Sequence, residues 1–333
     1  MPLENYHFKP TGLLTNKHIQ SILASSKARK WFLRRQSSSL REHQRSILLE
    51  CGDGVRLHAL HSPQPRSSSN PDLAKNNSKL VILIHGWEGS AESTYLLSTA
   101  SSLFNKGYSI LRLHLRDHGP SANLNEDLFH AARLDEIAGA IRNIKTRLPY
   151  QTYSLVGFSL GGNIALRISQ RSEQERLQLS SVTAISPVIS PSDTMDALNS
   201  GLAIYRLYFT KKWKRALRAK QRYFPEKYDL SELISKQNLG DMTDQLVENH
   251  TPYPSVAEYF SQYTLQPSGF TELNTNTYII MAKDDPVIPK AGFSGFENSE
   301  KLKVYSYANG GHCGFIKNWK LDCWLDEALP KVL

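Results

Sequence analysis

Five consecutive apolar residues, Leu80-Val81-Ile82-Leu83-Ile84, end at His85-Gly86 and have the length and branching of a strand buried on both faces. Similar runs recur at Tyr153-Ser154-Leu155-Val156, at residues 277–282 and at residues 302–307. Between them lie stretches with apolar residues at helical spacing. Residues 92–106 form one, and residues 130–147 form another with Leu134, Ile137, Ile141 and Ile144 on a single stripe. Strands that alternate with such helices predict an α/β fold with a mostly parallel central sheet flanked by helices. Ahead of it, residues 46–49 and 55–61 surround Cys51-Gly52-Asp53-Gly54 and read as an antiparallel hairpin at the sheet edge. Residues 63–79, rich in Ser, Asn and Pro, read as a surface loop.

The alternation stops between residues 190 and 270. Helices are expected there over 194–208 and 211–223, and an excursion at this place reads as a helical lid inserted in one domain of residues 1–333. Residues 1–45 form a basic N-terminal extension expected to pack on the core.

The ends of the strands carry the candidate chemistry. Gly157-Phe158-Ser159-Leu160-Gly161 is a G-x-S-x-G elbow with a β-branched strand before it and a helical stretch after it, the context in which that pattern has meaning. Such a turn holds its serine in a strained backbone conformation and aims the free N–H groups of the next helix at the same spot. The expected oxyanion donors are the Leu160 N–H and, from the bend after His85-Gly86, the Trp87 N–H. Further on, the strand over 277–282 runs into Asp284-Asp285-Pro286, and the strand over 302–307 runs into Gly310-Gly311-His312. Ser, acid, His in that order, each on a loop after its own strand, make Ser159 the nucleophile and His312 the base. Either Asp284 or Asp285 is the orienting acid.

These segments resemble those of the YheT-like branch of the α/β-hydrolase superfamily, a group of expected esterases and lipid hydrolases. The likeness is carried by Phe8-Lys9-Pro10, Asn16-Lys17-His18-Ile19-Gln20-Ser21, His85-Gly86-Trp87-Glu88-Gly89-Ser90, Arg116-Asp117-His118-Gly119, the elbow, Asp284-Asp285-Pro286 and Gly310-Gly311-His312-Cys313-Gly314-Phe315. It spans nearly the whole chain and is faint between residues 190 and 270. It implies cleavage of carboxylic esters, including lipid or acylglycerol esters, by Ser159, His312 and Asp285, with no cofactor and no metal. Two rivals share the scaffold: an acyltransferase that replaces water by an alcohol, and a ligand-binding protein that keeps the residues without the reaction.

Composition narrows the setting. The formal charge is +9, and its basic residues gather in two places. Lys27, Arg29, Lys30, Arg34 and Arg35 surround Trp31 and Phe32. Lys211, Lys212, Lys214, Arg215, Arg218, Lys220 and Arg222 crowd one helix beside Trp213 and Leu217. Such stretches suit either a solvated face or contact with an anionic membrane. Without a recognisable binding module they do not predict a nucleic-acid partner. Cys51, Cys313 and Cys323 form no disulfide framework, and no run is long enough to span a bilayer, so the expected location is cytoplasmic. The N-x-[ST] matches at Asn76 and Asn249 would then go unmodified.

His114 and His118, four apart, lie on a strand running into a loop and do not share a helix face as zinc ligands would. His130 and Asp135 are expected to be surface or capping groups at a helix start. His85 is expected to fix its turn by hydrogen bonding, Glu88 to hold or line the same turn, and Cys313 to take no nucleophilic part.

Overall fold

A computed structural model describes Leu3, residues 7–65 and residues 76–333. Most of the loop expected over 63–79 lies outside the described residues. The described strands are β1 (Arg45–Glu50), β2 (Arg56–Ser62), β3 (Lys79–Ile84), β4 (Ser109–Leu113), β5 (Thr152–Phe158), β6 (Ser181–Ile185), β7 (Asn276–Ala282) and β8 (Leu302–Tyr307). They form one sheet in the order β1-β2-β4-β3-β5-β6-β7-β8. The β1–β2 and β2–β4 pairs are antiparallel, and every pair from β4–β3 onward is parallel. β3 and β5 are buried almost throughout, as expected of central strands covered on both sides.

On one face, α5 (Asp135–Arg147) packs Ile137, Ile141 and Ile144 on the sheet beside Ile164 and Ile168 of α6 (Leu160–Arg171). On the other, α4 (Thr94–Asn105) packs Leu97, Leu103 and Phe104 with Phe315 and Trp324. Three short helices, α1 (Lys17–Ala24), α2 (Lys27–Gln36) and α3 (Ser38–Glu42), lead into the sheet, and Leu33 and Leu40 join that second core.

The helical expectations need three corrections. α5 begins at Asp135, not at residue 130. His130 is buried, with its ring edge-on to those of Tyr253 and Tyr259, and is no surface group. Asp135 is the exposed one, within 2.7 Å of the Arg171 guanidinium. In the insertion the helices are α7 (Pro191–Ser200) and α8 (Ala203–Tyr223), so the break falls at Gly201-Leu202 and α8 runs unbroken through residues 209–210. Phe209 and Trp213, four residues apart, both bear on Trp87, and this shared contact favours continuous helix. α9 (Ser231–Ser235), α10 (Leu239–His250) and α11 (Val256–Ser261) complete the insertion.

The insertion has an apolar core of its own. Leu198, Trp213, Leu217, Leu239, Met242 and Leu246 meet there, and Val287 and Ile288, just after Asp285, join them. No helix among the described residues is long and apolar enough to cross a membrane.

Candidate active site

Strand register brings the site together. Ile84 of β3 lies opposite Gly157 of β5, so the His85-Gly86-Trp87 bend and the Phe158-Ser159 elbow emerge side by side. Ala282 of β7 lies opposite Tyr307 of β8, which pairs the Asp284-Asp285 loop with the loop carrying His312. All four loops leave the carboxyl ends of parallel strands, where open α/β sheets form their sites.

Ser159 has φ 54° and ψ −118°, a left-handed conformation costly for any residue with a side chain. The elbow closes only because its neighbours lack Cβ atoms: one on Gly157 would lie 2.0 Å from the Gly161 carbonyl oxygen, and one on Gly161 would lie 2.5 Å from that of His85. Behind the strain stand hydrogen bonds from Ser159 N–H to the Ile185 carbonyl and from Asn163 N–H to the Ser159 carbonyl.

His312 Nδ1 lies 2.9 Å from Asp285 Oδ2, and His312 Nε2 lies 3.0 Å from Ser159 Oγ. A carboxylate only accepts, so Nδ1 carries a proton there. The other oxygen, Asp285 Oδ1, accepts from the Val287 and Ile288 N–H groups at 2.8 and 3.0 Å, which fixes the carboxylate plane. Burial disfavours charge on His312, but the adjoining Asp285 carboxylate outweighs it and holds the imidazole well above its ordinary value. Asp284 turns elsewhere: its Oδ1 accepts from the Gly311 N–H at 2.9 Å and so ties the base's own loop.

The bend over residues 85–87 is braced from several sides. His85 Nδ1 donates to the Gly86 carbonyl at 2.8 Å, and its Nε2 accepts from the Leu115 N–H at 3.2 Å. Tyr95 Oη accepts from the Gly86 N–H, and His118 Nε2 accepts from the Glu88 N–H. Burial keeps His85 well below, and His118 at about 4 against, the usual histidine value, so both serve as neutral acceptors. Glu88 is pushed up to about 7 by burial, opposed by Lys212 and Arg215, while its carbonyl accepts from Lys212 Nζ on α8. The Trp87 and Leu160 N–H groups make no backbone hydrogen bond in the turns that carry them.

His114 is engaged within the protein. Its Nε2 accepts from the Ala91 N–H and its Nδ1 faces that of His58 at 2.9 Å, and no metal-holding cluster occurs among the described residues. Cys313 is buried.

Two groups of residues in the site had no role assigned from sequence. The first lies on α1. Ser21 Oγ accepts from the His312 N–H at 2.8 Å, and the Gln20 side chain pairs with Ile316, accepting from its N–H at 2.7 Å and donating to its carbonyl at 2.9 Å. Gln20 is fully buried. The run Asn16 to Ser21 carries this signal in the sequence, as part of the resemblance. The second is Lys220, counted with the exposed basic residues but in fact buried on α8. Its ammonium lies 2.8 Å from Asp117 Oδ1 and also donates to the Asn125 and Asp127 carbonyls. Arg29 is likewise buried and donates to Ser98 Oγ at 2.9 Å.

Ser159 stands between two chambers. One, of about 110 Å³, is lined by apolar side chains of the sheet loops and the insertion, among them Leu160, Met195, Leu198, Leu246 and Phe260. The other, of about 450 Å³, contains His312 and lies between the N-terminal helices and α8, with Ser25 and Lys30 on one wall and Ile204 and Tyr208 on the other. His18 Nδ1 and Tyr205 Oη, 2.9 Å apart, join those walls.

Known proteins resemble this chain along most of its length. A family model described as the alpha/beta hydrolase fold matches residues 79–318. The chain is 24% identical to the Escherichia coli (strain K12) protein named "Putative esterase YheT", over 98% of this chain and 92% of that protein. It is 22% identical to a Saccharomyces cerevisiae monoacylglycerol lipase, over 85% of this chain and 64% of that protein. Among solved structures, the Pyrococcus furiosus esterase Pf2001 superposes with a TM-score of 0.57 at 14% identity, covering 89% of this chain and 92% of that one.

Proposed function

The chain belongs to the alpha/beta hydrolase fold family, in its YheT-like branch, and we propose that it is a carboxylic ester hydrolase acting through Ser159, His312 and Asp285. The observation that carries this reading is the continuous line of hydrogen bonds from Asp285 through both imidazole nitrogens to Ser159 Oγ. His312 Nε2 takes the Ser159 proton as Oγ attacks the ester carbonyl, and Asp285 holds the imidazole in the tautomer that can accept it. The carbonyl oxygen becomes an oxyanion facing the Trp87 and Leu160 N–H groups. Collapse breaks the bond to the alcohol oxygen, which leaves with the proton held on Nε2. Water then attacks the acyl-Ser159 ester by the same route and releases the acid. The relatives named as an esterase and a monoacylglycerol lipase support ester chemistry, and the second supports a lipid ester.

Orientation of the substrate follows from proton delivery. The leaving alcohol must sit beside His312, which lines the larger chamber and not the smaller one. The acyl chain therefore enters the apolar chamber beside Leu160, and the alcohol portion occupies the space between α8 and the N-terminal helices. In this reading the insertion acts as a lid that closes the acyl chamber.

Intact-mass spectrometry after exposure to a fluorophosphonate tests the proposal. One adduct on the wild type, absent from Ser159→Ala, is the expected result. An adduct retained by that variant would move the nucleophile elsewhere, and no adduct on either protein would favour a non-catalytic binding role.

A further inference from the structure

Exposed large apolar side chains are concentrated around the mouth of the larger chamber. Of eleven such residues among those described, eight lie in two segments: Leu13, Ile22, Trp31 and Phe32 before the sheet, and Leu202, Ile204, Leu207 and Tyr208 at the start of α8. Trp31 and Leu207 are each 64% exposed, and Trp31 packs edge-on against its exposed neighbour Phe32. Ile22, Ile204 and Tyr208 also line the chamber, so the two segments border one opening, and the His18–Tyr205 contact joins them. A soluble surface rarely gathers its apolar side chains around one mouth unless that face meets a partner.

The charge of the same face identifies the partner. Residues 12–36 contain no Asp or Glu, and neither do residues 201–225. Lys17, Lys27, Lys30, Arg34, Arg35 and Lys211 are exposed beside the apolar residues. Bare aromatic and aliphatic groups interleaved with positive charge match the two layers of a lipid surface, acyl chains below and anionic headgroups above.

We propose that the rim built by α1, α2 and the start of α8 docks on an anionic lipid bilayer, with the mouth of the His312 chamber facing the membrane. Trp31, Phe32 and Leu207 enter the headgroup boundary, while Lys27, Arg34, Arg35 and Lys211 lie against anionic headgroups. Lys220 and Arg29 take no part, being buried and engaged inside the protein. A lipid ester could then pass from the bilayer into the chamber without crossing water. This inference goes beyond the hydrolase reading and does not depend on Ser159 reacting.

Vesicle sedimentation of the full chain carrying Ser159→Ala tests it, so that failure of the catalytic proposal cannot affect the result. The protein should sediment with mixed phosphatidylglycerol–phosphatidylcholine vesicles, much less with phosphatidylcholine alone, and less as salt rises. Trp31→Ser with Leu207→Ser, and separately Lys27→Glu with Arg34→Glu, should each weaken partition by about tenfold or more. Leu48→Ser, which removes an exposed leucine from the β1 edge strand, should leave it unchanged. Unaltered thermal unfolding of the variants shows that they are folded. Equal binding to neutral vesicles, or binding that survives both pairs, would overturn the proposal. Binding that requires the charges but ignores Trp31 and Leu207 would also overturn it, because this is how a site for a free polyanion such as nucleic acid behaves.

Discussion

The loops at the strand ends and the helical insertion above them are held by different kinds of force. Ser159, Asp285 and His312 are located by strand register, by the strained elbow and by backbone hydrogen bonds that leave each side chain little freedom. The insertion rests on its own apolar core and on a few long polar side chains, of which Lys220 on Asp117 and Lys212 on the Glu88 carbonyl are the clearest. In the proposed mechanism one region sets where bonds are made and broken, and the other sets what fits beside them. Substitutions in the first should therefore change turnover with little effect on fit, and substitutions in the second should do the reverse.

The strongest test of that contrast is Asp285→Asn. It leaves the shape of the loop but removes the charge that orients and stabilises the imidazolium, so turnover should fall by about 10³–10⁴-fold with KM little changed. The pH profile supplies an independent readout. His312 must be neutral to accept the serine proton, and its value in the folded protein is raised well above 6.5. In the proposed mechanism activity should therefore be low where the imidazole is protonated and rise with pH through an inflection above the usual histidine value. In Asp285→Asn that inflection should move down. Asp284→Asn should have a much smaller effect on both quantities, because its carboxyl meets the Gly311 N–H and not the ring.

The next effect should come from the anchor of the insertion. Lys220→Met strands a buried Asp117 carboxylate, whose charged form burial already disfavours and Lys220 supports. Loss of one member of such a pair costs about 3–5 kcal/mol, measurable by chemical denaturation. Combining it with Asp117→Asn should recover part of the loss, as expected where an unpaired charge is the main penalty. If the insertion is indeed governed separately from the strand ends, molecules of Lys220→Met that remain folded should show a raised KM more than a lowered kcat.

The smallest expected changes in turnover test whether α1 belongs with the strand-end loops, as its hydrogen bonds indicate. Gln20→Leu leaves the buried Ile316 N–H and carbonyl without partners, at a cost of about 1–3 kcal/mol each, and should lower kcat more than it raises KM. Ser21→Ala removes the acceptor for the His312 N–H together with the hydroxyl's own bond to the Lys17 carbonyl, and should lower kcat several-fold, with Ser21→Thr restoring most of it. A change confined to KM in these variants would place α1 with the substrate-fitting region instead.

Local order made much of the fold legible. The buried runs at β3 and β5, the hairpin of β1 and β2, and the elbow all depend on residues within a few positions of one another. The insertion was harder to read because its helices are amphipathic toward a partner that sequence does not reveal. Phe209 and Trp213 bind across to Trp87, and that contact carries α8 through the place where a break was expected.

By itself, the sequence determined an α/β sheet with a serine elbow, and an acid and a histidine on later loops in the hydrolase order. Those features are local, since steric limits and hydrophobic periodicity act between near neighbours in the chain. Tertiary structure placed Asp285, the aspartate the resemblance implied, as the one facing the ring, and it alone decided that Lys220 and Arg29 leave the basic surface and that the N-terminal helix braces the His312 loop. Each rests on a contact between residues far apart in sequence: 27 positions for Asp285 and His312, 103 for Lys220 and Asp117, and 291 for Ser21 and His312. No periodicity along the chain records such contacts, because they exist only once the sheet has brought its strand ends together.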